Sequence, residues 1–197
     1  SYGISIIRGE EAHSVDDALH IAERISYPIA LKANVKGLLH KSDVGGIVLN
    51  LKNPQDIEKG FNEIVENIGK NLPGSQLDSI LVEQMAPMGK EMIVGMRRDA
   101  GFGAVMVFGL GGIFVELIND VSFRIAPLTR IDALTMIEET KANRLLQGFR
   151  GDPKADVESI VETLLRLSQL ACDFPQIEEI EINPLLVLPE GKGSLAL

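Results

Sequence analysis

The chain has 197 residues, 45% of them hydrophobic, which is enough to bury a sizeable core and excludes a disordered tail. Lys and Arg number 19 against 28 Asp and Glu, a net charge of −9. The global attraction to phosphate backbones on which nucleic-acid binders rely is therefore missing, and any anionic ligand must be held locally. The single cysteine, Cys172, excludes an intrachain disulfide and suits a reducing compartment, so a cytoplasmic location is expected. The longest uncharged stretch, Gly101 to Val115, is too short for a membrane span and is broken by five glycines, so no membrane association is expected. No signal peptide is visible. A first residue other than Met and a last apolar run ending at Leu197 make the chain read as part of a longer polypeptide.

In chain order, Gly3 to Ile7 predicts a strand. Ser14 then stands as an N-cap three residues before Asp17, opening a helix with Val15, Ala18, Leu19, Ala22 and Ile25 on one face, ended by Tyr27-Pro28. Strands follow at Ile29 to Ala33 and Gly46 to Leu51, with a polar, Gly-containing segment between them. Asn53-Pro54 caps the next helix, whose stripe is Ile57, Phe61, Ile64, Val65 and Ile68. A strand from Ser79 to Gln84 leads to a hinge at Met85 to Gly89. Beyond it the strands come at short spacing: Glu91 to Met96, Ala104 to Phe108, Val115 to Ile118 and Ser122 to Ala126. Two helices are expected next, one capped by Thr129 with Asp132, the other from Asp156 to Ala171. Strands Ile177 to Ile182, Leu185 to Leu188 and Ser194 onward close the chain. The pattern predicts an α+β protein of two α/β lobes, residues 1–85 and 86–197, with a cleft between them.

Four places could carry chemistry. Lys32 lies inside the apolar strand Ile29-Ala30-Leu31-Lys32-Ala33, where a charge must be paired or aimed into water. It is either a point charge for a nucleotide phosphate or an edge-strand lysine that deters aggregation. The glycines of Gly109-Leu110-Gly111-Gly112 would let consecutive N–H groups turn toward one anion, or would simply make a tight strand turn. No Walker or dinucleotide-binding glycine pattern is present. Glu179, Glu181 and Asn183 are two apart on a strand and share one face, which suits Mg²⁺ or a solvated surface. His40, in the aperiodic segment Leu39-His40-Lys41-Ser42-Asp43-Val44-Gly45-Gly46, could act as a nucleophile or phosphate carrier, though most loop histidines do neither.

Taken together these segments resemble the ATP-grasp domain of ADP-forming acyl-CoA synthetases, relatives of the succinyl-CoA synthetase β subunit. The resemblance covers nearly the whole chain. It is carried by Tyr27 to Lys32, Leu39 to Gly46, Phe108 to Glu116, Val121 to Leu128 and Glu181-Ile182-Asn183-Pro184-Leu185. It implies an ATP-grasp fold with the nucleotide cleft between its lobes, and ATP or ADP with Mg²⁺ as cofactors. It further implies that Lys32 contacts the phosphates, that Glu83, Gln84 and Met85 meet the adenine, and that Glu91 takes the ribose hydroxyls. By the same carry-over Gly111, Gly112 and Arg124 face the phosphates, Glu181 and Asn183 belong to the Mg²⁺ site, and His40 is the catalytic phosphoryl carrier. The family's CoA-binding and ligase portions are absent here, so a CoA-binding α subunit or fused domains are the expected partner. A further acidic metal ligand is expected just beyond the last strand. Similar regions also occur in large protein acetyltransferases, where they regulate an appended domain; the intact Lys32 and His40 motifs favour the enzyme. A generic nucleotide-binding module for another carboxylate has less use for the His40 motif.

Overall fold

The computed structural model describes residues 2–38, 41–112, 120–148 and 151–197. His40 and the strand expected at Val115 to Ile118 lie outside these residues. The chain divides into two compact units, Ile7–Ala86 and Pro87–Leu197, the second also taking the N-terminal segment through Ile6.

The first unit is a four-stranded antiparallel sheet, β1 (Gly9–Ala12), β2 (Ile29–Val35), β3 (Ile47–Leu51) and β4 (Leu77–Gln84), in the order β1-β4-β2-β3. Helices α1 (Val15–Ile25) and α2 (Pro54–Asn71) cover one face of it. Both begin where local chemistry dictates. The Ser14 side chain accepts from the Asp17 N–H, and that of Asn53 from the Asp56 N–H with Pro54 at the first helical position. Each such cap contributes about 1 kcal/mol. Ile57, Phe61, Ile64 and Ile68 are buried against Ile29, Leu31, Ala33, Ile80 and Val82, whereas Val65 is 45% exposed and lies outside the stripe. Alternation along β2 and β4 therefore sends Ala30, Lys32 and Asn34, with Leu81 and Glu83, to the face that carries no helix.

The expected strand at Gly3 to Ile7 reduces to a single bridge between Ile6 and Ala196. The first true strand is instead Gly9-Glu10-Glu11-Ala12, whose charged residues give no apolar alternation and which is fixed by pairing with β4.

The second unit is a five-stranded antiparallel sheet in the order β7-β6-β5-β8-β9: β5 (Lys90–Asp99), β6 (Gly103–Leu110), β7 (Val121–Ile125), β8 (Glu179–Val187) and β9 (Ser194–Ala196). Helices α3 (Arg130–Glu138), α4 (Ala142–Leu146) and α5 (Val157–Asp173) supply the core that buries Met92, Val94, Met96, Met106 and Phe108. Thr129 and Asp132 form a reciprocal capping box at α3, and Asp156 caps α5. The C-terminal end of α5 is closed by Arg98, whose guanidinium donates to the carbonyls of Ala171 at 2.7 Å and Ile177 at 3.0 Å. The sequence pattern gave no sign of α4, which is five residues long.

Strand β8 runs unbroken through Asn183-Pro184, where two separate strands were expected. Met92 pairs with Leu185 and Val94 with Ile182, so Asn183 and Pro184 together oppose Ile93. This is a bulge, the arrangement that tolerates a proline without an N–H inside a sheet. It lets Ile180 and Ile182 pack inward before it and Leu185 and Val187 after it. Glu179, Glu181 and Asn183 stay exposed on the face away from the helices.

Candidate nucleotide and metal site

Lys32 and Glu83 in the first unit, and Glu91, Glu181 and Asn183 in the second, lie on the helix-free faces of their sheets. In the first unit Lys32 lies on β2, which is flanked by β4 and β3. The edge-strand explanation for this lysine therefore fails, since it occupies an interior strand. Its ammonium is paired instead: Lys32 Nζ lies 2.5 Å from Glu83 Oε2, with side-chain exposures of 25% and 11%. Lys32 is opposite Leu81 and Ala30 opposite Glu83, so the pair is a diagonal cross-strand contact. The partner comes from fifty-one positions along the chain (Lys32 to Glu83), which is why strand periodicity alone did not reveal it. The hinge-side segment has its N–H groups committed, Gln84 to the Arg8 carbonyl at 3.0 Å and Met85 to the Pro28 carbonyl at 2.9 Å.

In the second unit the structure brings together Glu91, Gly111, Gly112, Glu181 and Asn183. The Gly111 N–H donates to the Glu91 carbonyl at 2.9 Å, and the Gly112 N–H donates to Asn183 Oδ1 at 3.0 Å. Asn183 Nδ2 in turn donates to Glu181 Oε1 at 3.3 Å. Leu110 N–H reaches the Asp120 carbonyl at 3.4 Å. Three consecutive N–H groups of the glycine segment thus have protein acceptors and do not converge on an empty anion cradle. Close approach explains the glycines: Gly112 has φ of +66°, and a Cβ there would collide with the Glu91 carboxylate.

Arg124 is placed elsewhere. It shares the parity of Ser122, whose hydroxyl is buried and donates to the Met136 carbonyl. Arg124 therefore lies on the helix-covered side, where it donates to Glu139 Oε1 at 2.7 Å at the end of α3. That bond raises the Arg124 pKa and lowers that of Glu139. The structure does not bring Arg124 to Gly112 or Asn183. The arginine on their face is Arg97, opposite Glu179, which sequence reasoning missed because nothing local marks which face of β5 the helices leave open.

Among the described residues no group of three or more His, Cys, Asp or Glu could hold a metal by itself. Glu181 and Asn183 offer one carboxylate and one amide oxygen on one exposed face. This fits Mg²⁺, which is typically bound by one or two carboxylates and takes its remaining oxygens from phosphates and water.

A profile described as the ATP-grasp domain matches residues 1–197. The chain belongs to the ATP-grasp family. Within it, this ATP-grasp domain groups with the ADP-forming acetate–CoA ligases. It is 46% identical over 191 residues to acetate–CoA ligase [ADP-forming] I of Archaeoglobus fulgidus, covering 97% of this chain and 28% of that protein. It is 41% identical over 198 residues to the β subunit of acetate–CoA ligase [ADP-forming] II of Pyrococcus furiosus, covering 100% and 84%. The domain thus spans under a third of one relative and most of the other. Among solved structures it is similar to acetyl-coenzyme A synthetase 1 of Ca. Korarchaeum cryptofilum in complex with coenzyme A and Ca-AMPCP. There the TM-score is 0.94 at 41% identity, covering 100% of this chain and 85% of that one. A second structure of that synthetase, with coenzyme A and Mg-AMPPCP and with its phosphohistidine segment pointing towards the nucleotide-binding site, matches with TM-score 0.86 at 39% identity, covering 100% and 84%. Among the described residues no helix is long and apolar enough to cross a membrane.

Proposed function

We propose that this ATP-grasp domain is the nucleotide-binding and phosphoryl-transfer part of an ADP-forming acyl-CoA synthetase, which interconverts acyl-CoA, ADP and phosphate with acid, CoA and ATP through phosphohistidine. The observation that carries the proposal is the exposed Glu181–Asn183 pair, fixed by the Gly112 N–H, in a domain 39% identical to a synthetase solved with Mg-AMPPCP. Phosphoryl transfer asks little of a protein beyond positioning and charge neutralisation. Lys32 supplies the first: an ammonium has three donors, of which Glu83 uses one, leaving two for phosphate oxygens. Glu91 offers carboxylate oxygens to ribose hydroxyls. With the N–H groups of Gln84 and Met85 already engaged, contacts from this segment to the adenine fall to its carbonyls and side chains. Mg²⁺ held by Glu181 and Asn183 would neutralise charge on the phosphates. His40 is the residue proposed to carry the phosphoryl group, and a CoA-binding α subunit or fused CoA-binding domains would complete the enzyme in the cytoplasm.

Calorimetric titration with Mg-ADP tests the nucleotide site. Lys32→Ala should weaken binding by about tenfold or more, about 1.4 kcal/mol. Equal affinity in two correctly folded samples would remove Lys32 from the site and leave its ion pair with Glu83 as a purely structural contact.

A further inference from the structure

The helix-free face of the five-stranded sheet holds a cavity of about 470 Å³ beside Glu181, lined among others by Gly95, Arg97, Val107, Phe123, Glu179 and Glu181. Register explains its shape. Gly95 lies opposite both Glu181 and Val107, and Arg97 lies opposite both Glu179 and Val105. A Cβ at Gly95 would come within 3.0 Å of the Ile180 carbonyl oxygen and of Val107 Cγ1, so any larger residue would fill the floor. Glycine inside a central strand commonly marks a place where something else approaches the backbone closely.

Each of the sheet's other two arginines is spent on the fold, Arg98 at the carbonyls ending α5 and Arg124 at Glu139. Arg97 is exposed, and its side chain has no hydrogen bond or ion pair among the described residues. Its charge is felt by Asp99, whose carboxyl is held low first by the Gly101 and Phe102 N–H groups and then by Arg97. The face around it also carries Glu91, Glu179 and Glu181, which repel a polyphosphate unless cations offset them. Among the described residues of this sheet Arg97 is the protein cation available there, and a guanidinium matches phosphoryl oxygens two at a time. Arg97 pairs in register with Glu179, four residues along β8 from Asn183, or about 13 Å at the usual rise per residue. The cavity covers this surface as far as Glu181. Arg97 and Glu181 line the same cavity, so Arg97 stands to act on a γ-phosphoryl group whose metal Glu181 would hold, while Val107 and Phe123 offer an apolar wall to a flat ring.

We propose that this cavity receives the phosphoryl group in transit and that Arg97 is the catalytic residue that binds it as it passes to an imidazole acceptor. The inference rests on the function proposed above, which supplies the acceptor class. The bond from the γ-phosphorus to the bridging oxygen breaks, with its electron pair left on ADP. A ring nitrogen's lone pair forms the P–N bond, and the proton on the ring's other nitrogen goes to water. Because Arg97 acts on the group in flight, it raises the transfer rate more than it tightens nucleotide binding.

The test uses the complete synthetase with Arg97→Ala, Arg97→Gln and Arg97→Lys, following acid-labile phosphoenzyme in a single turnover with Mg-ATP and measuring by calorimetry the Kd of Mg-AMPPCP, which keeps a γ-phosphoryl group. Arg97 is exposed, so melting temperatures should match the parent. Ala and Gln should slow phosphoenzyme formation about a hundredfold, the loss typical of one charge-stabilising donor, with Kd within about twofold. Lys should recover part of the rate. Phosphoenzyme formation at the parental rate would overturn the inference, and so would a Kd loss equal to the rate loss, which would make Arg97 an ordinary nucleotide contact. Lys32→Ala in the same assays separates the two levels: if it too leaves Mg-AMPPCP binding unchanged, the nucleotide site itself has been misassigned.

Discussion

Replacing Lys32 by Met removes the only described ion-pair partner of Glu83 and leaves a carboxylate with 11% side-chain exposure facing an interior strand. Breaking a fully buried pair from one side costs about 3–5 kcal/mol. Lys32 is one quarter exposed, so water reaches the site and the expected cost falls to about 2 kcal/mol. For a protein of this size that lowers Tm by about 4–8 °C. Glu83→Gln, which keeps shape and hydrogen-bonding capacity, should cost about 1 kcal/mol. Lys32→Met with Glu83→Leu removes both charges and should be more stable than Lys32→Met alone, because no orphaned carboxylate remains. Urea unfolding followed by circular dichroism, analysed as a double-mutant cycle, gives the coupling directly. If Lys32→Met matched the parent, or if the two substitutions simply added, the pair would contribute nothing and the reasoning would be refuted.

Arg98→Met should lower stability by about 2 kcal/mol through loss of charged hydrogen bonds at the end of α5, read as a drop in urea midpoint; an unchanged midpoint would show that water replaces them fully. Gly112→Ala should cost about 2 kcal/mol or more, since φ of +66° is unfavourable for alanine and its Cβ meets Glu91. Acid should destabilise the second unit. The carboxyls of Asp132, Glu139 and Glu158 are lowered mainly by hydrogen bonds from Thr129, Arg124 and Arg130 respectively, below ordinary values of 3.8 for Asp and 4.5 for Glu. Depressed carboxyls contribute stability above those values and lose it as pH falls through the folded ones. Melting temperature should therefore hold from pH 7 to about 5 and fall below about 4.5, with Glu139→Gln flattening part of the fall; a fall that Glu139→Gln leaves unchanged would show that this pair contributes nothing to it.

What could be read from the sequence was what is decided locally. Ser14, Asn53 and Thr129 cap the helices they were expected to cap because each bond closes within three residues. The parity that puts Glu181 and Asn183 on one face follows from strand geometry alone. What escaped was set at a distance. Gly9 to Ala12 becomes a strand only through β4, some seventy residues later, and Lys32 finds its counter-charge on that same strand. Pro184 marked a strand end by its chemistry, yet the bulge opposite Ile93 accommodates it. Arg97 and Arg124 are equally good phosphate ligands on paper. Their faces are distinguished only once α3 and α5 cover one side of the sheet, leaving Arg124 against Glu139 and Arg97 in the open.

The most direct measurement is of products. The complete synthetase, given a panel of acyl-CoAs with ADP, phosphate and Mg²⁺, should form ATP only when phosphate is present, and an acid-labile phosphoryl label should appear on histidine and vanish with turnover in His40→Asn. ATP formation without phosphate, release of AMP and pyrophosphate in the reverse direction, or full turnover by His40→Asn would contradict a phosphohistidine route through this domain.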